Sequence, residues 1–326
     1  MAVDAHWRLI PLSDFQCPAP PASTRLQRGW HTLQRVLGVT EEPEVGNTED
    51  LPADAGFNRE PAVSALDRFL KDWPDESKEV RFLLEPPFSA VADVARDWAT
   101  WRQWPRLEPP TTAQLLTADV SAWWQVQQVR GPWLIDDLTC YFLRTARGMS
   151  FLRRLLIQLA QGAFGPGLVV CNSWTYRFIT AGFDPGLTAV YCFAPATPAL
   201  LRELGIEATE RQLLRLTATA RGNAGVALAL WKAQHNTSPS LPHVPASTDD
   251  NDAFVLYALL LHRGLSEPML QQVLPMLSAE QLAACLLRLL ASGLVAQHQA
   301  GWQISPVAYG EVREFLAGRD HCLDDF

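Results

Sequence analysis

Four short apolar runs, separated by stretches of helical periodicity, constrain this chain more than any other feature. They are Val80 to Leu84, Trp133 to Asp136, Gly167 to Asn172 and Leu187 to Phe193. Between them, apolar residues recur at helical spacing over Ala90 to Trp101 and Ser150 to Gln161, and two further helices follow at Pro198 to Leu204 and Glu207 to Ala220. A strand covered on both faces is apolar throughout, and helices alternating with such strands cover the two sides of a parallel sheet. The order therefore predicts an α/β fold. The Pro-rich stretch Pro105 to Pro110 reads as a turn, and Ala113 to Trp124 fits strand or helix. No internal repeat is present.

Composition sets the outer limits. A chain of 326 residues, 48% of them hydrophobic, has room for two domains with a core in each. Lys and Arg total 27 against 35 Asp and Glu, and the resulting net charge of -8 opposes non-specific attraction to nucleic acid or anionic lipid. The six cysteines are scattered without a C-x-x-C pair, as reduced core residues of a cytosolic protein would be. Seven dispersed histidines show no ligand spacing, so no metal site is expected. The first residues lack a basic segment followed by a long apolar one, and no apolar run reaches about 18 residues. The expectation is a cytoplasmic protein without membrane insertion.

The two ends differ from the middle. Arg25 to Leu37 has helical spacing of Leu26, Trp30, Leu33 and Leu37, and Glu41 to Glu60 carries seven acids and one Arg, as a solvated loop would. Pro61 to Trp73 is a short amphipathic helix leading into the first strand. Beyond the polar linker His235 to Asp250 come three helices, at Asp252 to His262, Glu267 to Leu274 and Ala279 to Ser292. A hairpin of Leu294 to His298 and Gly301 to Ser305, then a helix from Pro306 to Ala317, completes the pattern of a winged helix.

The chemistry concentrates at strand ends. Set against the nucleotide-binding pattern G-x-x-x-x-G-K-[ST], the octet Glu85-Pro86-Pro87-Phe88-Ser89-Ala90-Val91-Ala92 has Glu, Ala, Val and Ala at the four defining positions. The lysine would meet the β- and γ-phosphates, the glycines would let backbone N–H groups curl around them, and the hydroxyl would hold Mg²⁺. Val91 offers no charge, and Glu85 would repel a phosphate. Downstream, Gly131 to Leu138 (GPWLIDDL) resembles a Walker B motif, Gly167 to Trp174 (GLVVCNSW) a polar sensor strand, and Arg221 to Trp231 (RGNAGVALALW) a glycine-containing lid motif.

In that order, and with a winged helix after them, these segments are similar to the STAND and AAA+ branch of P-loop NTPases over residues 60 to 318. The resemblance implies a five-stranded parallel core over 61–197, a helical lid over 198–234, a linker over 235–250 and a winged-helix domain over 251–326, preceded by an N-terminal extension over 1–60. It also implies a nucleotide site at Glu85, Ser89, Val91, Ala92, Asp136, Asp137, Asn172 and Arg221, with Asp136 on Mg²⁺ and Asp137 orienting water. Loss of the lysine and hydroxyl makes that site vestigial, with no catalytic residue. The implied role is that of a pseudo-ATPase acting as a regulatory or scaffolding platform for a protein partner. No cofactor is expected, ATP with Mg²⁺ being what a residual site would take.

Plainer roles compete for the same residues. Asp136 and Asp137 fit a helix cap or a pair with Arg144, and Asn172 and Ser173 fit a turn. Arg221 would meet a phosphate or face solvent. Glu85 beside Arg144 or Arg147 would seal the pocket. The basic group Arg144, Arg147, Arg153 and Arg154 is expected to pair with the acidic stretch Glu41 to Glu60 or to face water. Trp98 and Trp101, three apart, are expected to pack together in the core. Two other functions are open: a nucleotide-binding switch with weak ATPase activity, and a DNA-binding transcriptional regulator. Residues 251 to 326 hold four arginines, no lysine and eight acids, and the helix that would enter a groove contains only Arg288, which disfavours DNA.

Overall fold

The computed structural model describes residues 6–19, 56–71, 73, 79–129, 131–235 and 242–326. The helix expected at Arg25 to Leu37 and most of the acidic stretch lie outside the described residues. The protein is α/β, built on a five-stranded, mostly parallel sheet. Its strands are β1 (Leu9–Pro11), β2 (Val80–Glu85), β3 (Trp133–Ile135), β4 (Gly167–Asn172) and β5 (Val190–Phe193), in the order β1-β5-β2-β4-β3. Strands β2, β3, β4 and β5 run parallel, with β2 and β4 in register from Val80 opposite Gly167 to Glu85 opposite Asn172.

The edges depart from a fully parallel sheet. Strand β1 pairs antiparallel with β5, Leu9 opposite Phe193. A parallel strand outside β3 is reduced to one bridge, Arg106 opposite Leu134, in which the Leu107 N–H donates to the Leu134 carbonyl. Pro105, Pro109 and Pro110 flank it without N–H donors, so the ladder stops there.

Both faces of the sheet are buried, and side chains alternate between two apolar layers as strand geometry requires. Leu83, Leu134, Leu168 and Val170 enter one layer. Phe82, Leu84, Trp133, Ile135, Val169 and Cys171 enter the other. On the first side lie α1 (Glu60–Leu70) and α2 (Val91–Arg102). The ambiguous stretch before β3 forms two helices, α3 (Thr112–Thr117) and α4 (Val120–Gln127), divided where Ala118 turns left-handed and Asp119 caps the second. They join α5 (Ala146–Ala160) against the second layer, and α6 (Ser173–Gly182) follows β4. Trp98 is buried as expected, but Trp101 is 61% exposed. The buried stripe of α2 runs through Val91, Val94, Ala95, Trp98 and Ala99, and Trp101 falls beyond its rim, where Arg102 lies over its ring at 5.2 Å.

After β5 come α7 (Pro198–Glu203), α8 (Glu210–Thr219) and α9 (Ala224–His235). The last part holds α10 (Asp250–His262), α11 (Glu267–Val273), α12 (Ala279–Ala291), the hairpin β6 (Val295–His298) and β7 (Gly301–Ile304), and α13 (Tyr309–Ala317). That order matches the sequence expectation. Helix α10 is apolar on every side, with Ala253, Val255, Leu256, Ala258, Leu259, Leu260 and Leu261 all buried. Such a helix must be surrounded by protein, and one continuous apolar layer joins it to Leu83 and Val170 of the sheet.

The turn into α9 clamps the segment after β2. Asn223 donates its side-chain N–H to the Pro87 carbonyl at 2.6 Å and caps α9 by accepting from Gly225 and Val226. Gly225 allows this approach, because a Cβ there would lie 1.7 Å from the Phe88 carbonyl oxygen. Gly225→Ala is expected to lower unfolding free energy by about 2–3 kcal/mol, the range for overpacking that moves backbone. Urea denaturation would measure it, and an unchanged midpoint would contradict the clamp.

Candidate functional site

Strand β2 delivers Glu85 to the C-terminal edge of the sheet, next to the ends of β4 and β3, where open α/β sheets bind ligands. The loop Pro86 to Ala90 then turns into α2. Two residues in it have left-handed backbone, Phe88 at φ 67° and Ala90 at φ 59°. Ala90 occupies the position of the second glycine in the nucleotide-binding pattern, so the turn is made there without glycine. For an L-residue that conformation costs about 1–2 kcal/mol.

The N-terminus of α2 presents N–H groups and the positive end of a helix dipole, the place where a phosphate would sit. It is filled from within. Glu85 Oε1 accepts from the Ala92 N–H at 3.1 Å, and the residue is 1% exposed. Its other oxygen, Oε2, lies 2.6 Å from Arg263 Nη1, and the same nitrogen is 3.2 Å from Asp137 Oδ2. Arg263 is the residue that ends α10, in left-handed conformation at φ 56° and followed by Gly264. A cation there also complements the negative end of α10.

Burial pushes the Glu85 carboxyl up to about 7, with Arg263 opposing that rise and Asp137 adding to it. Burial alone would lower the Arg263 pKa, but the two carboxylates hold it above its ordinary value. The site is a closed arrangement: a carboxylate where phosphate would lie, and an arginine from the C-terminal helices supplying the cation.

The other residues of the expected site divide. Asp137 also caps the one-turn helix Leu138–Tyr141, accepting from the Thr139 N–H at 2.9 Å. Asp136 turns away and pairs with Arg96 at 3.2 Å and Arg106 at 3.4 Å. Burial raises its pKa, and those two arginines counter the rise. Neither acid pairs with Arg144, and Glu85 pairs with Arg263 instead of Arg144 or Arg147. Sequence proximity drew attention to those arginines, while the fold carries them elsewhere. Asn172 caps α6 through the Trp174 N–H and donates to the Leu260 carbonyl at 3.2 Å. Thr175 donates to the Leu261 carbonyl, so two of the last carbonyls of α10 are satisfied by the start of α6.

Val91 is buried, and Val91, Ser89 and Arg221 line a separate apolar pocket of about 40 Å³ with Phe15 and Phe326. Arg221 Nε donates to the backbone oxygen of Phe326 at 2.6 Å, and the Phe15 and Phe326 rings lie 4.3 Å apart. A larger cleft of about 410 Å³ lies on the other side of the loop, lined by Phe88, Ala90, Asp137, Asn172, Arg263 and Trp302 among others. Cys140 borders it, but burial and two aspartates push the thiol up to about 11, so it is protonated at neutral pH. Among the described residues no cluster of three or more His, Cys, Asp or Glu could hold a metal ion, and no helix is long and apolar enough to cross a membrane.

Arg263 was the functional residue that sequence reasoning did not reach. A signal existed in the charge that follows the apolar run Ala253 to Leu261 just before glycine, since a charge in that setting needs a partner.

Comparison with known proteins adds little weight. No protein-family model matches the chain, and no curated protein matches it. Among solved structures, it is similar to the Walker-type ATPase PABY2304 of Pyrococcus abyssi, 13% identical over 81% of this chain and 99% of that one, with a TM-score of 0.35. It is also similar to the Thermotoga maritima RuvB Holliday junction branch migration motor, 15% identical over 77% of this chain and 92% of that one, with a TM-score of 0.34. The fold assignment rests on the strand order and the two-sided sheet: this is an α/β protein with a mostly parallel core.

Two outcomes test the site. Glu85 holds its proton more tightly folded than unfolded, so its contribution to stability is full below about 4.5 and declines as pH rises toward about 7. Arg263→Met would strand the ionised carboxylate, at a cost of about 3 kcal/mol near pH 8. That deficit should shrink below about pH 4, where Glu85 is mostly protonated in folded and unfolded chains alike. Denaturation at the two pH values measures it, and a pH-independent deficit would contradict the pairing. Ala90→Gly should raise stability by about 0.5–1 kcal/mol by relieving the left-handed alanine, net of the entropy cost of glycine. The same denaturation assay reads it.

Proposed function

We propose that this chain is a catalytically degenerate relative of the STAND and AAA+ branch of P-loop NTPases, a cytoplasmic pseudo-ATPase that keeps the fold as a regulatory or scaffolding platform. The observation that carries the reading is the internal replacement at the loop. A phosphate would have to displace the Glu85 carboxylate from the Ala92 N–H. It would then lie beside Asp137 with Val91 where the lysine belongs. Single electrostatic stabilisers of a transferring group are worth about 10²-fold or more in rate, and here the lysine and the metal-binding hydroxyl are both absent.

The C-terminal helices and hairpin act, in this reading, as a winged-helix unit that binds protein. Arg288, the lone arginine of α12, is committed to Asp252 at 2.8 Å. Beside it Leu287 and Leu290 are exposed, so α12 offers an apolar surface instead of a basic one. Phosphate neutralisation drives binding to DNA, and this helix is poorly equipped for it.

Calorimetric titration with ATP and with ADP, each with Mg²⁺, tests the proposal. The expected result is no saturable heat up to millimolar nucleotide. Saturable binding at micromolar concentration would overturn it in favour of a nucleotide switch.

A further inference from the structure

The segment after α13, residues 321–326, has neither helix nor strand pairing, yet it is held the way a bound peptide is held. Asp324 and Phe326 are buried, and Asp325 between them is exposed. Alternate side chains entering the protein are the pattern by which a groove reads an extended chain. The Asp324 carboxylate accepts from Arg313 Nη1 of α13 and from the Ser173 hydroxyl of α6, each at 2.5 Å. Backbone oxygens are engaged as well. Arg313 Nη2 donates to that of Asp324 at 2.7 Å, the Cys17 thiol to that of Asp325 at 3.5 Å, and Arg221 Nε to that of Phe326 at 2.6 Å. The walls of the groove thus come from the stretch after β1, the start of α6, the turn before α9 and α13.

Packing alone does not call for this chemistry. A buried carboxylate and guanidinium carry a desolvation cost that apolar side chains of similar size avoid, and what such a pair adds is selectivity for an anion at one position. Arg313 is itself buried and grips the Asp324 side chain and backbone together, a two-point fit that a neutral residue does not satisfy. At the other end the Phe326 ring lies 4.3 Å from that of Phe15, in a pocket that keeps about 40 Å³ of free volume, room for a further hydroxyl-sized group. Ser89 and Trp7 of the same wall each carry a buried polar atom with no hydrogen-bond partner among the described residues. The chain's own phenylalanine therefore does not fill its pocket. Only Gly318 to Leu323 separate Asp324 from the end of α13, and a tether that short supplies its end at about millimolar effective concentration.

We infer that this groove is a recognition site for a protein segment carrying a carboxylate two positions before an aromatic side chain, and that residues 324–326 occupy it in cis. The segment seated there states the chemistry of the partner: Arg313 and Ser173 select the acid, and the pocket beside Phe15 and Arg221 selects the aromatic. A partner segment competes with the tethered one, so its apparent affinity falls by the fraction of molecules in which the groove is open. The site rests on the contacts of residues 324–326 and not on the reading of the loop after β2, so titration with nucleotide does not decide it.

Fluorescence anisotropy of a labelled synthetic peptide of residues 319–326, with Cys322→Ser, tests the site. It is titrated with the full chain and with the full chain carrying Asp324→Ala and Phe326→Ala, which empties the groove. The emptied chain should bind the peptide saturably, and wild type should bind it about 10-fold or more weakly. Alanine in the peptide at the position of Asp324 or of Phe326 should weaken binding to the emptied chain by about 30-fold or more. Amide hydrogen exchange of wild type is a second measurement that does not need the variant to fold. The native peptide at millimolar concentration should speed exchange at Asp325 and Phe326 while leaving β2 and β4 protected, and a peptide with alanine at both positions should change neither. No saturable binding to a folded emptied chain, equal binding by the two chains, binding indifferent to the acid and the aromatic, or wild-type exchange that ignores the native peptide would overturn the proposal. Residues 321–326 would then be a fixed part of the core.

Discussion

Glu85 is a carboxylate with almost no access to water, and its burial is tolerable because two structural elements converge on it. One is the first turn of α2, which donates the Ala92 N–H. The other is the end of α10, which brings the Arg263 guanidinium to 2.6 Å. A buried ion left without either partner would cost several kcal/mol. The position of the C-terminal helices against the sheet is therefore coupled to the conformation of the loop after β2. The contacts of Asn172 and Thr175 with the last carbonyls of α10 reinforce the same junction.

A second buried carboxylate repeats the device. Asp324 is bonded to Ser173 at the start of α6 and to Arg313 on α13, while burial pushes its carboxyl up to about 6. Trp174 donates to the Tyr309 hydroxyl at 3.0 Å beside it. Both acids sit where a strand end meets the last part of the chain, so polar groups at the edge of the sheet are spent on internal closure. The loop is held from its other side by Asn223 and by the close approach that Gly225 allows. The loop after β2 is thus a structural joint between the sheet and the C-terminal helices.

The legible parts of the fold were those with a strong local pattern. Strands β2 and β4 announce themselves because strands covered on both faces carry unbroken apolar runs, Phe82 to Leu84 and Leu168 to Cys171, and the C-terminal helices carry caps and periodicity of their own. Strand β1 has three residues, too few for any period, and exists because it adds to the exposed edge of β5. Ala113 to Trp124 is apolar enough for a strand, but Asp119 caps a helix in its middle. Trp101 shared a spacing with Trp98 and still lies outside, because the core covers only part of the face that spacing defines. In the site, Glu85 and Asp137 were visible as acids at strand ends. Their partner was not, because Arg263 is 178 and 126 positions away in sequence.

The amino-acid sequence by itself determined the α/β class, the alternation of most strands and helices, and a segment after β2 that carries no lysine and no glycine. Those properties follow from residue type and local spacing, which no distant contact can alter. The tertiary structure decided how the acids at the strand ends are paired: Glu85 with the Ala92 N–H and Arg263, Asp137 with the same arginine, and Asp136 with Arg96 and Arg106. A charge in a dry interior is defined by whichever opposite charge the fold brings within a few ångströms, and strengths at that range depend on geometry that spacing along the chain does not encode.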